Sequence, residues 1–464
     1  MTDLAIARLG TVGGLLRLAL PFAAGAGLGY AMHFINRLFL SWYSTEALAA
    51  ALPAGFLAWT VQALFICAAG YVGTFAGTHA AANEPEEAGA MLWPMLVLCA
   101  AATVLSLGCI PLRHLIVLVY GTEPAVALPM AELFAWYLAE TGLIALISGA
   151  GGFFAGIGRP VLVVIMAGAG CVLSIVLNYW LILGGLGIPA LGITGAGIAT
   201  LATSLIVAAV WIVLLFAPRV RREFGTWRMR NLDSARLWRF AWNALPRGAC
   251  EVLEMVGFMM FNGAVARLGT EALAAHNLVF SLYLLVMVPF IGLFNGLTVA
   301  VGQCLGAGRV DLAWRTAGLG WKLLLVVMLP CGMLFVLVPG LVLAPFRSGD
   351  DAVWTRLMAL AAPLMAFAAV AMVADGLQFC FRCAVQGAGD TRWPFVVLTA
   401  SAVLLCGLPA AGIAMLVAAG NWPSWAPAPL TACWTVFLTY IWIVAGICWL
   451  RWRFGPWTRM SVRG

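Results

Sequence analysis

The chain has 464 residues, of which 64% are hydrophobic and 9% charged, and its mean hydropathy is +1.03. This balance lies far from that of a soluble globular domain and leaves no polar stretch long enough to be one, so a bilayer is the solvent for most of the chain. The net charge of +7 rests almost wholly on arginine, Lys322 being the single lysine; these residues gather at the ends of apolar segments, a pattern of anchoring against anionic lipid and not of a nucleic-acid surface.

At about 20 apolar residues per crossing, roughly a dozen spans fit. The pattern predicts helices over about 14–42, 49–78, 89–111, 127–155, 159–184 and 191–216, then over about 241–268, 275–305, 313–345, 354–386, 391–420 and 428–450. Glycine and proline mark the joints, as at Gly156–Pro160, Gly184–Gly197, Gly306–Gly308, Gly387–Asp390 and Asn421–Pro423. The densest basic run, from Arg219 to Arg239, falls midway along the chain. It divides the sequence into a six-helix lobe over 1–218, a cytoplasmic linker over 219–240, a second six-helix lobe over 241–450 and a cytoplasmic tail over 451–464. With the amino terminus inside, the inner segments also collect Arg8, Arg17, Arg159, Arg309, Arg315, Arg392 and the arginines of the tail, against Arg113, Arg267 and Arg347 outside. Both termini are therefore expected in the cytoplasm and the chain in a cell inner membrane. The acidic turn at 84–87, inner on the same scheme, lends no support.

The two halves repeat each other. Ala19-Leu20-Pro21, 23 residues, and Thr45-Glu46-Ala47-Leu48-Ala49-Ala50 recur 225 residues later as Ala244-Leu245-Pro246, 23 residues, and Thr270-Glu271-Ala272-Leu273-Ala274-Ala275. Six spans return the chain to the side it left, so the copies are parallel, and their pseudo-two-fold axis runs along the membrane normal. The expected fold is an all-α polytopic membrane protein, a monomer of two parallel six-helix lobes around a central cleft.

Cys380-Phe381-Arg382-Cys383 has CxxC spacing, but in an apolar helix it puts two small thiols on one face and reads as packing. With no histidine cluster in a span and no soluble catalytic motif, neither an enzyme nor a resident cofactor is expected. The chemistry lies in carboxylates at membrane depth, where an unpaired charge is costly and seldom kept without use. Four of the 18 acidic residues fall there: Glu140 in helix four, Glu251 and Glu254 in helix seven, and Asp375 in helix ten. Such groups can hold a proton, or as a pair a monovalent cation, and a site neutral when loaded and charged when empty favours different arrangements of the two lobes. Glu254 and Asp375 are the leading pair, with Glu251 and Glu140 behind them. Deep charge that is mostly acidic favours cationic substrates.

Leu177-Asn178-Tyr179, Gly187 to Gly192, Gly195 to Thr200, Ala275-His276-Asn277 and Gln386-Gly387-Ala388-Gly389-Asp390-Thr391-Arg392, together with the doubled Ala-Leu-Pro segments, resemble the multidrug and toxin extrusion (MATE) exporters over nearly the whole chain. The resemblance implies an antiporter that exports bulky, amphipathic, often cationic small molecules through the interlobe cleft in exchange for Na+ or H+. It also implies roles for Glu254, eight residues after the helix-seven proline, and for Asp375, three before Gln378, at the coupling cation, as in the Na+-coupled bacterial branch. The chain departs from the family at Asn36, where an aspartate is usual. His33 stands one turn before it and is a titratable neighbour. Two further departures are Ala371 in place of a tyrosine and Ser174, four before Asn178, in place of an asparagine. Asn36 can accept and donate hydrogen bonds but cannot change charge, so coupling is expected in the second lobe, with Glu140 as a compensating acid in the first. The rival readings are a lipid-linked oligosaccharide flippase, which needs a basic cavity, and a membrane-embedded enzyme.

Overall fold

A computed structural model describes residues 3–114, 124–185, 189–227, 233–344 and 351–460. Among the described residues, 12 helices are long and apolar enough to cross a membrane, and the protein is an all-α, multi-pass membrane protein. In hydrocarbon every backbone N–H and C=O needs an internal partner, which a helix supplies within itself.

In the first lobe, α1 is Val12–Tyr43, α2 runs as Thr45–Gly70 and Val72–Ala81 with a break at Tyr71, α3 is Leu92–Cys109, α4 Pro124–Gly156, α5 Val161–Leu183 and α6 Gly192–Leu215. In the second, α7 is Ser234–Ala266, α8 Thr270–Gly306, α9 Val310–Leu337, α10 Asp351–Gly387, α11 Arg392–Ala418 with a π-helical turn at Ala402–Gly407, and α12 Pro429–Phe454. The expected spans are all present. One boundary moves: Asp233 caps α7 by accepting from Ala235 N at 3.3 Å, so the helix takes in the last residues assigned to the linker.

The repeat is visible in local detail. Pro21 and Pro246 both sit inside their helices. After α4 and α10 the chain turns through Gly158 (φ 85°) and Gly389 (φ 97°), in the left-handed region that favours glycine. The α1–α2 joint is capped by Ser44, whose hydroxyl accepts from Ala47 N at 3.0 Å.

The lobes meet as a pseudo-two-fold axis requires, α1 against α8 and α2 against α7. Gly292 and Gly296 of α8 lie on Ala23 and Ala19 of α1, and Gly248 of α7 lies on Leu64 of α2; a β-carbon at any of these glycines would collide with backbone of the other helix. Nearer the end that carries the first residues of α1 and the last of α12, hydrogen bonds join the lobes. Tyr71 Oη donates to Gln386 O (2.6 Å), Gln303 Nε2 to Gly156 O (2.7 Å) and Thr78 Oγ1 to Gly302 O (3.2 Å). Thr316 Oγ1 donates to Leu9 O at 3.1 Å, fastening the amino-terminal helix to the second lobe, whose core includes Ile6, Leu9 and Leu15. Among the described residues the interlobe hydrogen bonds all lie at this end. The lobes are thus fastened to each other on the side of the termini. The acidic turn finds partners here too: Glu87 pairs with Arg236 at 2.8 Å and Glu84 shares a hydrogen bond with His79 at 2.8 Å, so the basic linker and this turn share one side.

Candidate functional site

Helix α7 carries Arg247, Glu251 and Glu254 at i, i+4 and i+7, and α10 carries Asp375, Gln378 and Arg382 at i, i+3 and i+7, so each presents a polar row along one face. The rows face each other. Arg382 Nη1 donates to Glu254 Oε2 at 2.6 Å and its Nη2 to Glu251 Oε1 at 3.3 Å, while Gln378 Nε2 donates to Glu254 Oε1 at 2.9 Å. Arg247 Nη1 donates to Glu251 Oε1 from one turn closer to the termini side. Asp375 Oδ2 accepts from Tyr283 of α8 at 2.5 Å. The guanidinium carbon of Arg382 lies 4.2 Å from the centre of the Phe379 ring, which stacks on Phe294 at 4.8 Å.

The side chains of Arg382 and Arg247 are only 1% and 9% exposed, whereas Glu251 and Glu254 keep 24% and 19% open. The acids thus keep more open surface than the cations they pair with. Gly248, one residue beyond Arg247, is the glycine on which α2 rests, so the cluster stands directly on the interlobe seam. Three carboxyl groups stand against two guanidiniums, which leaves the cluster one acid in excess and able to take one further positive charge, a proton or a cation.

The structure therefore brings Glu254, Glu251, Asp375 and Gln378 together and corrects the expectation about deep charge. Arg247 and Arg382 are equally deep, and Glu251 and Glu254 are paired acids. The signal was present in the i, i+4 spacing of Arg247 and Glu251, one residue past the repeated proline, and in an arginine inside the CxxC segment. Cys380 and Cys383 are buried free thiols, Cys380 Sγ lying 3.5 Å from Ala317 O. Asp375 receives its phenol from α8, through Tyr283, which no spacing within α10 could reveal.

The first lobe is different. Glu140 is 3% exposed and accepts from Ser204 Oγ at 2.9 Å; among the described residues no basic side chain lies within 4.0 Å of it. Gln62 Nε2 donates to Tyr137 O at 2.7 Å, one turn from Glu140. Asn178 Nδ2 donates to Ser174 O and Oγ at 2.8 and 2.9 Å, so Ser174 engages Asn178 directly. Asn36 is 5% exposed, with a buried Oδ1 that has no hydrogen-bond partner. The His33 side chain lies outside the described residues. Nothing joins these groups to the second-lobe cluster through hydrogen bonds among the described residues.

The MatE family profile matches residues 246–413, the stretch that holds every member of this charged cluster. A probable multidrug resistance protein NorM of Pseudomonas syringae pv. tomato is 31% identical over 301 residues, covering 62% of this chain and 63% of that protein. One of the same name from Pseudomonas aeruginosa is 29% identical over 439 residues, 92% of this chain and 88% of the relative. By this profile and these relatives the chain is similar to the MATE family. Among solved structures, a multidrug resistance MATE family transporter of the MOP superfamily in an outward-facing conformation has the same fold, with a TM-score of 0.82, 17% identity and 98% of each chain covered. A MOP superfamily transporter from Pyrococcus furiosus, described as having a binding pocket of reverse polarity that suggests a different function, superposes with a TM-score of 0.84 at 16% identity, again over 98% of each chain. The first relative is matched over less than two thirds of its length, while the two structures share the fold of this chain over 98% of its length.

Proposed function

We propose that the protein is a secondary antiporter of the bacterial inner membrane, termini in the cytoplasm, that exports amphipathic, cationic small molecules in exchange for Na+ or H+. The observation that carries this reading is the cluster of Glu251, Glu254 and Asp375 with its one acid in excess, seated on the seam between two lobes fastened at one end. A cation that neutralises the cluster and one that leaves it favour different lobe arrangements, which is the condition for coupling. The multidrug resistance names of the relatives support an export role.

Rocking about the α1–α8 and α2–α7 contacts would separate the Gln303–Gly156 and Tyr71–Gln386 bonds and open the cleft to the cytoplasm. Each costs about 1 kcal/mol net to break, small enough for a coupling ion to offset.

A second reading has one observation in its favour. Arg247 and Arg382 offer guanidiniums to a phosphate, as a lipid-linked oligosaccharide flippase requires. Both are already engaged by glutamates, and the cluster has one acid in excess, which favours a cation. Proteoliposomes separate the two: gradient-driven movement of a fluorescent organic cation supports antiport, whereas movement of a lipid-linked phosphate with no response to Na+ or H+ gradients sinks it.

A further inference from the structure

The most buried charge of the cluster enters that antiport scheme only through the charge balance. Arg382 lies within a membrane span, 1% exposed, and reaches both glutamates of α7. A hard monovalent cation binds by collecting several oxygen ligands in place of its water. At Glu254 both oxygens already face N–H donors, Gln378 on one and Arg382 on the other. At Glu251 Oε1 two guanidiniums converge. A metal ion entering there would have to displace a side chain held against Phe379, itself stacked on Phe294, and would face the positive charge of Arg247 from the adjacent turn. The residues present do not fit Na+ at the Glu251–Glu254 pair.

We propose that Arg382 is a tethered cation: its guanidinium permanently takes the position a mobile metal ion would hold at Glu251 and Glu254, so the second lobe discriminates against Na+ and Asp375 is the carboxylate left for a transported positive charge. Arg382 is thereby a specificity-determining residue for the coupling ion. Its consequence for transport rests on the antiport reading, but its test reads ion binding, so the two can fail separately.

The test is the unfolding temperature of the full-length purified protein as NaCl replaces choline chloride at fixed ionic strength. The unaltered protein is expected to show no Na+-specific change. Arg382→Gln, which vacates the cradle, should gain a saturable rise of about 2 °C or more, because a ligand that binds only the folded state stabilises it. Arg382→Lys, which keeps the charge, and Arg382→Gln combined with Glu254→Gln, which removes the cradle, should show none. A saturable Na+ response in the unaltered protein that Glu254→Gln abolishes overturns the proposal, as does a folded Arg382→Gln without one. If Arg382→Gln is recovered only in NaCl, the proposal is supported. If it folds in neither salt, the titration of the unaltered protein decides by the same criterion, its lack of a Na+ response being the supporting outcome. A protein that binds ions as expected yet moves no organic cation under any gradient removes the antiport reading and leaves the tethered cation in place.

Discussion

The two lobes began as one sequence, and they now handle buried charge in opposite ways. The first holds a single deep acid, Glu140, satisfied by a serine hydroxyl and with no cation near it among the described residues. The second assembles Arg247, Glu251, Glu254, Asp375 and Arg382 into one network over two helices. Aligned positions show the divergence: Phe22 corresponds to Arg247, Gly29 to Glu254, and Asn36 to Phe261, which is buried and stacked on Phe437 at 5.2 Å. Where the second lobe gained charge the first kept small or apolar residues, and where the family places an acid in the first lobe the second has an aromatic. The helical frame and its proline are common to both lobes while the buried charge is not, so the seam joins a charged lobe to a nearly uncharged one.

The sharpest way to break that contrast is Arg382→Leu. Removing one partner of a buried ion pair leaves acids uncompensated, so folded-state stability should fall by about 3 kcal/mol, read as a lower unfolding temperature, and adding Glu254→Gln should restore much of it. Asp375→Asn keeps the shape and removes the charge; gradient-driven export should drop about tenfold or more with the folded yield unchanged, as measured by dye efflux alongside size-exclusion chromatography. Glu140→Gln preserves the bond to Ser204, and because the first lobe is the quieter partner its effect on the same assay should be only about threefold. Tyr283→Phe removes one hydrogen bond from Asp375, about 1 kcal/mol, and should shift the concentration dependence of the coupling ion with little change in maximal rate. Gln303→Ala touches neither site; it loosens the termini-side closure by about 1 kcal/mol and should raise labelling of a cysteine placed at the neighbouring Ile157 by a membrane-permeant thiol reagent.

Much of the frame was legible in the sequence because membrane helices announce themselves by length and apolarity, and because Pro21 and Pro246, or Gly158 and Gly389, recur at matching places. The acids were legible for the same reason, since a carboxylate is conspicuous in an apolar run. What escaped was pairing. Arg247 and Arg382 look like any span arginine until α7 and α10 are seen face to face, and Tyr283 reaches Asp375 only through the packing of α8 on α10. The break at Tyr71 escaped because hydropathy is continuous across it, although the same residue then supplies an interlobe hydrogen bond. The role of the acidic turn emerged only when Glu87 was found beside Arg236, 149 positions away in the chain.

The central claim is that the second-lobe cluster couples export to a cation. In proteoliposomes that differ only at the cluster, uptake of a fluorescent organic cation should follow an imposed ion gradient in the unaltered protein, persist in Glu140→Gln, and collapse to the level of empty vesicles in Asp375→Asn. Undiminished gradient-driven uptake in Asp375→Asn would contradict the account.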